Sequence, residues 1–203
     1  MPASRTHRRI VSTVSLLVLL VAACGDRSGK VLDEPVFPPP ATQPVVTAPP
    51  TTLAPPEPFG LVAPWVDGAE IPVRHTCAGD GLSPALFWSG VPTETVELAL
   101  TVVDADADRY VHWIVYAISP IETGTLEGAP PTASFEWPNS SGAAVWQAPC
   151  PPDGDTHRYE FTLHALNQQL EVADDASAAD VLSILNATTI ARSTVVGLAT
   201  GVP

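Results

Sequence analysis

Hydrophobic and polar positions divide the chain into three stretches. Residues 10–23 are apolar apart from two serines and a threonine, and residues 25–58 show no hydrophobic periodicity. Residues 59–203 contain apolar runs of strand length separated by Gly, Pro, Asn and Ser clusters, which mark turns. This last stretch has 145 residues, the usual size of one domain with a core of its own.

Three runs in the last stretch predict long β-strands. Val96–Val103 and Val111–Ile118 are rich in β-branched and aromatic residues, as core strands are. His157–Leu166 alternates apolar and polar side chains, which predicts a half-buried antiparallel strand. Shorter strands are predicted at residues 69–73, 85–88 and 143–146.

One helix is predicted late in the chain. Between Ala178 and Arg192 the apolar residues fall at helical spacing, and Ser177 or Asp175 is placed to cap the first turn. Residues 193–199 then predict a closing strand. The sequence therefore predicts a mainly β domain with one helix.

The N-terminal stretch has the pattern of an export signal. Three arginines and no acid precede the apolar run, which is too short for a permanent membrane span. Small residues stand directly before a cysteine in Leu20-Val21-Ala22-Ala23-Cys24, which resembles the bacterial lipobox. We expect residues 1–23 to be a lipoprotein signal peptide and Cys24 to be acylated. The alternative is an ordinary signal peptide in which Cys24 is incidental.

Residues 24–58 predict a disordered tether. Ten of the residues from Pro35 to Pro58 are proline, which removes backbone donors and fixes φ, so neither helix nor sheet can form there. We expect a semi-rigid spacer. A proline-rich ligand for an SH3-like module is the alternative.

Charge excludes one class of partner. The formal net charge is −13, and loss of Arg5, Arg8 and Arg9 with the signal peptide lowers it by three, to −16. Lys30 is then the single lysine. Such a surface repels nucleic acid and anionic head groups, so we expect no nucleic-acid partner. Membrane attachment must come from acylated Cys24, at the extracytoplasmic face of a bacterial cell membrane.

The two remaining cysteines, Cys77 and Cys150, are expected to pair as a disulfide in an oxidising compartment. Two unlinked buried thiols are one alternative. The other is a zinc site formed with His112 and His157, for which the spacing offers no support.

Polar residues gather where the long strands begin or end. Asp104 and Asp106 follow one strand, His112 opens the next, and His157 and Tyr159 open a third. A pocket at one end of the sheet would bring them together. The alternative for each residue alone is structural: turn formers, hydrogen-bonded histidines and core packing. His75 and His164 are expected to be surface residues.

Four ordered motifs add a family resemblance. They are Ser83-Pro84-Ala85-Leu86-Phe87-Trp88-Ser89-Gly90-Val91-Pro92, Asp104-Ala105-Asp106-Ala107, His112-Trp113, and Pro149-Cys150-Pro151-Pro152 followed by His157-Arg158-Tyr159. Together they resemble the phosphatidylethanolamine-binding protein family, in its bacterial Raf-kinase-inhibitor-like branch. The resemblance implies a central antiparallel sheet, a second smaller sheet and a helix near the C-terminus.

The resemblance also implies a small pocket for a phosphate or carboxylate group. Its residues here would be Asp104, Asp106, His112, Pro151, Pro152, His157 and Tyr159. Imidazole, hydroxyl and amide groups donate hydrogen bonds to oxyanions, and affinity should rise as the histidines protonate. The family's Asp-Pro-Asp-Ala-Pro is Asp-Ala-Asp-Ala-Asp at residues 104–108, so we expect a less rigid loop that is more repulsive to anions.

The leading hypothesis is thus a lipid-anchored binding protein with a pocket for a small phosphate or carboxylate ligand. An inhibitor or scaffold of another protein is a further role compatible with this hypothesis. One alternative is a small-ester hydrolase using Asp104 with His112 or His157, although no G-x-S-x-G motif supplies a nucleophile. Another is a serine protease inhibitor. The sequence predicts neither a cofactor nor a metal.

Overall fold

Strands form where the β-branched and aromatic runs lie. The structure is a computed structural model that describes residues 57–203, so the predicted signal peptide, Cys24 and all but the last two residues of the predicted tether lie outside it. The three long predicted strands are confirmed to within one or two residues at each end. In chain order the elements are β1 (Gly60–Val62), β2 (Ala69–Glu70), β3 (Phe87–Ser89), β4 (Glu97–Asp104), β5 (Tyr110–Ile118), β6 (Phe135–Glu136), β7 (Thr156–Leu166), α1 (Ala178–Thr188) and β8 (Thr189–Thr200).

The strands form one large and one small sheet. The large sheet has the order β2-β8-β7-β4-β5-β6 and is antiparallel except where the short β2 runs parallel to β8. The small sheet pairs β1 with β3, also antiparallel. A mainly β fold with a central sheet, a smaller sheet and one late α-helix was predicted and is confirmed within residues 57–203.

Both faces of the large sheet are covered. On one face Trp113 and Phe161 belong to a core shared with Trp88 of the small sheet. On the other face Ile114 packs in a core with Val181 and Leu185 of α1, among others. Every residue of β4 is consequently buried, which accounts for its unbroken apolar run.

The helix begins as predicted and ends earlier. Ser177 is the N-cap, and its hydroxyl accepts from the Asp180 amide while the Asp180 carboxylate accepts from the Ser177 amide, which forms a capping box. The helix stops at Thr188 instead of Arg192, and β8 starts at once. The hydroxyls of Thr188 and Thr189 donate to carbonyls of the last turn, so these β-branched residues satisfy the helix end and lead into a strand.

Two of the short predicted strands are shifted or shortened, and one is wrong. The first ends at Glu70, ahead of Pro72, and the second is Phe87–Ser89. Residues 143–146 form no strand. Asn139 holds this segment as a loop, since its side chain bonds the Val145 carbonyl and the Ala143 amide, groups that a strand would use for pairing.

His75 and His164 are buried, contrary to the expectation of surface positions. The ring nitrogen Nδ1 of His75 lies 3.0 Å from the Leu82 carbonyl oxygen and therefore donates to it. His164 lies on the polar-patterned face of β7, and that face is buried there because α1 covers it. Its Nδ1 and Nε2 bond the hydroxyls of Thr189 and Thr101, at 3.0 and 3.1 Å.

Burial of His164 makes stability depend on pH. Desolvation lowers the pKa of His164 to about 4, with a smaller contribution from Arg192, so the folded protein holds the ring neutral. Unfolding restores a pKa near 6.5, and stability is therefore lost as pH falls from about 6.5 toward about 4, by roughly 3 kcal/mol at the limit. We expect His164→Gln to flatten this loss in chemical-denaturation curves measured across that range. An unchanged slope in the variant would contradict a neutral buried His164.

Candidate functional site

Antiparallel pairing brings the polar strand ends to one place. β4 lies between β5 and β7, and its last residue, Asp104, sits opposite Tyr110 on one side and Tyr159 on the other. The end of β4 thus meets the starts of both neighbours. The predicted convergence of Asp104, His112, His157 and Tyr159 occurs at this end of the sheet.

A β-bulge places His112. Val102 pairs with Trp113 and Val103 pairs with Val111, so His112 is the extra residue of β5 at this point. Its ring packs edge-on between two tyrosines, with centroids 5.1 Å from Tyr110 and 5.2 Å from Tyr159. Bulges of this kind re-aim a side chain at the edge of a site.

The convergence forms a cavity of about 380 Å³. Six of the seven predicted pocket residues line it, and Asp106 does not. Asp108, expected to make the loop more repulsive, is also absent from the lining. The cavity is lined by Asp104, Ala107, Tyr110, His112, Gln147, Cys150, Pro151, Pro152, His157 and Tyr159.

Asp104 orients His157. The carboxylate is buried, and its Oδ2 accepts a hydrogen bond of 2.8 Å from Nδ1 of His157. Its other oxygen accepts from the amide of Asp106, at 2.9 Å. Because Nδ1 of His157 is hydrogen-bonded to Asp104, Nε2 is the ring nitrogen that remains for a ligand.

His112, like His157, is oriented by a hydrogen bond at Nδ1, here to a backbone carbonyl. Its Nδ1 lies 2.9 Å from the carbonyl oxygen of Gln147, which can only accept, so Nδ1 carries the proton and Nε2 is again left over. Burial lowers the pKa of His112 below its ordinary value, although the Gln147 carbonyl and the Asp104 charge oppose the shift. His112 is therefore neutral at neutral pH and gains its second N–H only in acid.

Tyr159 contributes a buried hydroxyl that makes no hydrogen bond of ordinary geometry among residues 57–203, although the Asp104 carboxylate and the Cys150 backbone lie near it. Burial, and next the Asp104 carboxylate, raise the pKa of Tyr159, so the phenol stays protonated. A ligand or water oxygen beside this hydroxyl would give it a hydrogen bond of good geometry.

Asp106 is held away from the cavity. Its carboxylate accepts three hydrogen bonds from Arg158, two from the guanidinium at 2.7 and 3.0 Å and one from the backbone amide at 2.8 Å. The bonds to Arg158 lower the pKa of Asp106 to about 2. Asp106 therefore ties the β4–β5 loop to β7, and its own oxygens are already used.

Gln147 and Tyr110 complete the cavity wall and were not predicted as pocket residues. The Tyr110 hydroxyl donates to the Gln147 side chain at 3.0 Å, and the Gln147 backbone bonds His112 through both its amide and its carbonyl. The sequence offered one signal: Gln147 stands directly before the Ala148-Pro149-Cys150 approach to the pocket loop.

The expected disulfide between Cys77 and Cys150 is present, with Cα atoms 5.3 Å apart. It fastens the pocket loop to the segment after the short 3-10 helix Val73–His75, and the Cys77 amide donates to the Pro149 carbonyl beside it. Because both sulfurs are used, free thiols and the four-ligand zinc site are excluded for this pair.

Gly201 supports the same loop from the other side. A Cβ at this position would overlap the carbonyl oxygen of Pro152 and come within 2.5 Å of that of Pro151. The Gly201 amide donates to Asp155 and its carbonyl accepts from Gly154, so the end of the chain is bonded across the loop. No local sequence pattern marks this glycine, since its partners are about 50 residues away.

The geometry agrees with the comparison to known families. The sequence model described as phosphatidylethanolamine-binding protein matches residues 63–200. The chain belongs to the phosphatidylethanolamine-binding protein family. The resemblance predicted from the four motifs is thereby confirmed, and the match covers almost the whole described domain of this family member.

Individual relatives place it among bacterial and archaeal members of the phosphatidylethanolamine-binding protein family. "Putative lipoprotein LppC" of Mycobacterium tuberculosis is 40% identical over 180 residues, covering 86% of this chain and 87% of that protein. A UPF0098 protein of Methanothermobacter thermautotrophicus is 40% identical over 139 residues, covering 65% and 91%. The crystal structure of Escherichia coli YbcL, described as a member of the mammalian PEBP family, superposes with a TM-score of 0.65 at 31% identity, covering 71% of this chain and 99% of YbcL.

The close contact between Gly201 and the Pro151–Pro152 loop can be tested by substitution. We expect Gly201→Ala to displace Pro151 and Pro152 and to destabilise the domain by about 1–3 kcal/mol, the usual cost of overpacking. Gly60→Ala is the matched control, since its new Cβ would meet only the Pro58 carbonyl oxygen, at 3.7 Å. Thermal unfolding and amide chemical shifts of the pocket loop would measure both. Equal effects of the two substitutions would contradict this role of Gly201.

Proposed function

We propose that the cavity binds the phosphate or carboxylate group of a small molecule and that the protein is a binding protein, not an enzyme. The observation that carries the proposal is the shared orientation of His112 and His157. Each ring uses Nδ1 on a fixed acceptor and leaves Nε2 among the residues that line the cavity. The buried Tyr159 hydroxyl adds a donor beside them.

Charge decides when such a ligand binds. With His112 neutral, the Asp104 carboxylate in the cavity wall disfavours an anion. Protonation of His112 offsets that charge and adds an N–H donor at its Nε2. Anion binding should therefore be coupled to proton uptake.

Catalysis is disfavoured by what the cavity lining contains. Among the residues that line it there is no serine, threonine or lysine, and the sulfur of Cys150 is in the disulfide. The Asp104–His157 pair therefore has no serine, threonine or cysteine nucleophile to activate among the lining residues. Binding is the chemistry that these groups support best.

Sulfate is a suitable probe because it stays a dianion across the pH range in which histidines titrate. We expect sulfate affinity at about pH 5.5 to exceed that at about pH 8 by about tenfold or more, as charged hydrogen bonds form. His112→Ala should abolish most of the increase in isothermal titration, because it removes the ring whose protonation adds the donor. His75→Gln is the control, since His75 is buried elsewhere. Sulfate affinity that is independent of pH would refute the histidine mechanism.

We further propose that residues 1–23 are a signal peptide, that Cys24 is acylated, and that residues 24–58 tether the domain outside the cell membrane. The LppC match supports this, because 86% of the chain is more than residues 59–203 alone supply and that relative is named as a lipoprotein. The Cys77–Cys150 disulfide suits an oxidising, extracytoplasmic compartment. Within residues 57–203 no helix is long and apolar enough to cross a membrane.

Lipid anchoring predicts a change of cell fraction. Expressed in a bacterial host, the native chain should sediment with membranes and carry acyl mass on the peptide that begins at Cys24. Cys24→Ser should release it, because the acidic protein surface offers no second attraction to anionic lipid. Ser28→Ala serves as the matched control and should stay membrane-bound. A Cys24→Ser protein that remains with the membranes would contradict anchoring through this cysteine.

A further inference from the structure

A second polar cavity, of about 160 Å³, lies on the opposite face of the large sheet from the histidine cavity. Residues alternate across a strand, so Thr162 and His164 of β7 face away from Tyr159 and Phe161. The α1 helix covers part of this face and leaves a groove beside Asn186. None of its groups takes part in the site described above.

Three threonines form the floor of this groove. Thr101, Thr162 and Thr194 lie opposite one another on β4, β7 and β8. The hydroxyls of Thr162 and Thr194 are 2.9 Å apart, so one donates to the other and the second keeps its proton for another acceptor. Such a row offers both donors and acceptors to a hydroxylated ligand.

The orientation of the Thr101 hydroxyl is set by a chain of hydrogen bonds through His164 and Thr189. The Thr189 hydroxyl donates to the Leu185 carbonyl, at 2.6 Å, and therefore accepts from Nδ1 of His164. Nε2 of His164 must then accept the proton of Thr101, at 3.1 Å. The Thr101 oxygen is left with lone pairs and acts as an acceptor toward the groove.

Cations are concentrated at this groove. Residues 57–203 contain nineteen acids and four basic residues, Arg74, Arg109, Arg158 and Arg192, and two of those four line it. Arg109 pairs with Glu160, at 2.8 Å. The charges of Arg109, Arg192 and Glu160 sum to +1 in a strongly acidic protein.

Arg192 differs from the other three arginines. Arg74, Arg109 and Arg158 each have a carboxylate within 2.9 Å, whereas no salt bridge of Arg192 exists among residues 57–203. Within the described part of the chain its guanidinium donates to one acceptor, the side-chain oxygen of Asn186, at 3.2 Å. That bond leaves the Asn186 amide protons and most of the Arg192 donors available in the same place.

We propose that this groove binds a small hydroxy-carboxylate, with the carboxylate at Arg192 and Asn186 and the hydroxyl group on the threonine row. Guanidinium and amide donors match the two carboxylate oxygens. The threonine oxygens match a group that both donates and accepts. The proposal is independent of the histidine cavity, because the two sites share no lining residue.

Lactate and propionate test the proposal, because they differ chiefly in one hydroxyl group. We expect lactate to shift the amide resonances of Thr162 and Thr194 and the Nε–H resonance of Arg192 saturably in the whole, ¹⁵N-labelled protein. Propionate should bind more weakly. Resonances of His112 and His157 report the other cavity separately, so failure at one site is distinguishable from failure at the other.

Arg192→Gln should weaken lactate binding by about tenfold, the loss expected for a charged hydrogen bond. Arg74→Gln makes the same charge change at another exposed arginine and should leave binding unchanged. Thr194→Val, nearly the same shape without the hydroxyl, should reduce the preference for lactate over propionate. Equal affinity for the two acids in the native protein, or an equal effect of Arg74→Gln and Arg192→Gln, would overturn the proposal.

Discussion

Antiparallel pairing of β4 with both neighbours is the constraint on which the rest of the site depends. Asp104 ends β4 between the starts of β5 and β7, so a carboxylate from one strand meets histidines from two others. The bulge at His112 matters equally, since regular alternation would turn this ring away from the side of the sheet that Trp113 faces. A one-residue change of register would separate His157 from Asp104.

Loop contacts complete the cavity whose first walls are formed by the strand ends. The Cys77–Cys150 disulfide and the Gly201 backbone hold the Pro151–Pro152 loop from two sides. A disulfide that spans 73 residues contributes about 4 kcal/mol in the chain-entropy description. Here it also restrains one wall of the cavity. Stability of the domain and the shape of the cavity therefore rest on the same cross-links.

Period and residue type predicted the parts of the fold that depend on local sequence. β4, β5 and β7 were predicted because β-branched runs and alternation are local. Ser177 was one of two predicted caps, and the structure shows that it, and not Asp175, caps the helix. The helix end was predicted wrongly because the hydroxyls of Thr188 and Thr189 bond the last carbonyls of the helix and so end it. The spacing of apolar residues does not reveal this competition. Residues 143–146 were mistaken for a strand because Asn139, outside the run, takes its backbone groups.

Long-range packing accounts for the other errors. His164 alternates with apolar residues exactly as a surface residue of a strand would, and only the later helix α1 buries it. Asp106 fits a binding motif, yet the neighbouring strand supplies Arg158 and occupies its carboxylate. Gly201 and Gln147 act on residues far along the chain. Each case depends on which distant segments pack together, and a single sequence does not reveal these contacts.

An acidic protein can still bind anions, because the charges close to a binding site matter more than the net charge of the whole protein. Exposed charges farther apart than about 8 Å are largely screened at physiological ionic strength, so the many surface carboxylates contribute little inside a groove. What acts there is the local set: Asp104 with His112 and His157 in one cavity, and in the other Arg192, which forms no salt bridge within residues 57–203. The first set becomes more attractive to anions when His112 is protonated, whereas the second is cationic throughout. Occupancy of the two cavities should therefore respond differently to pH, although one sheet carries both.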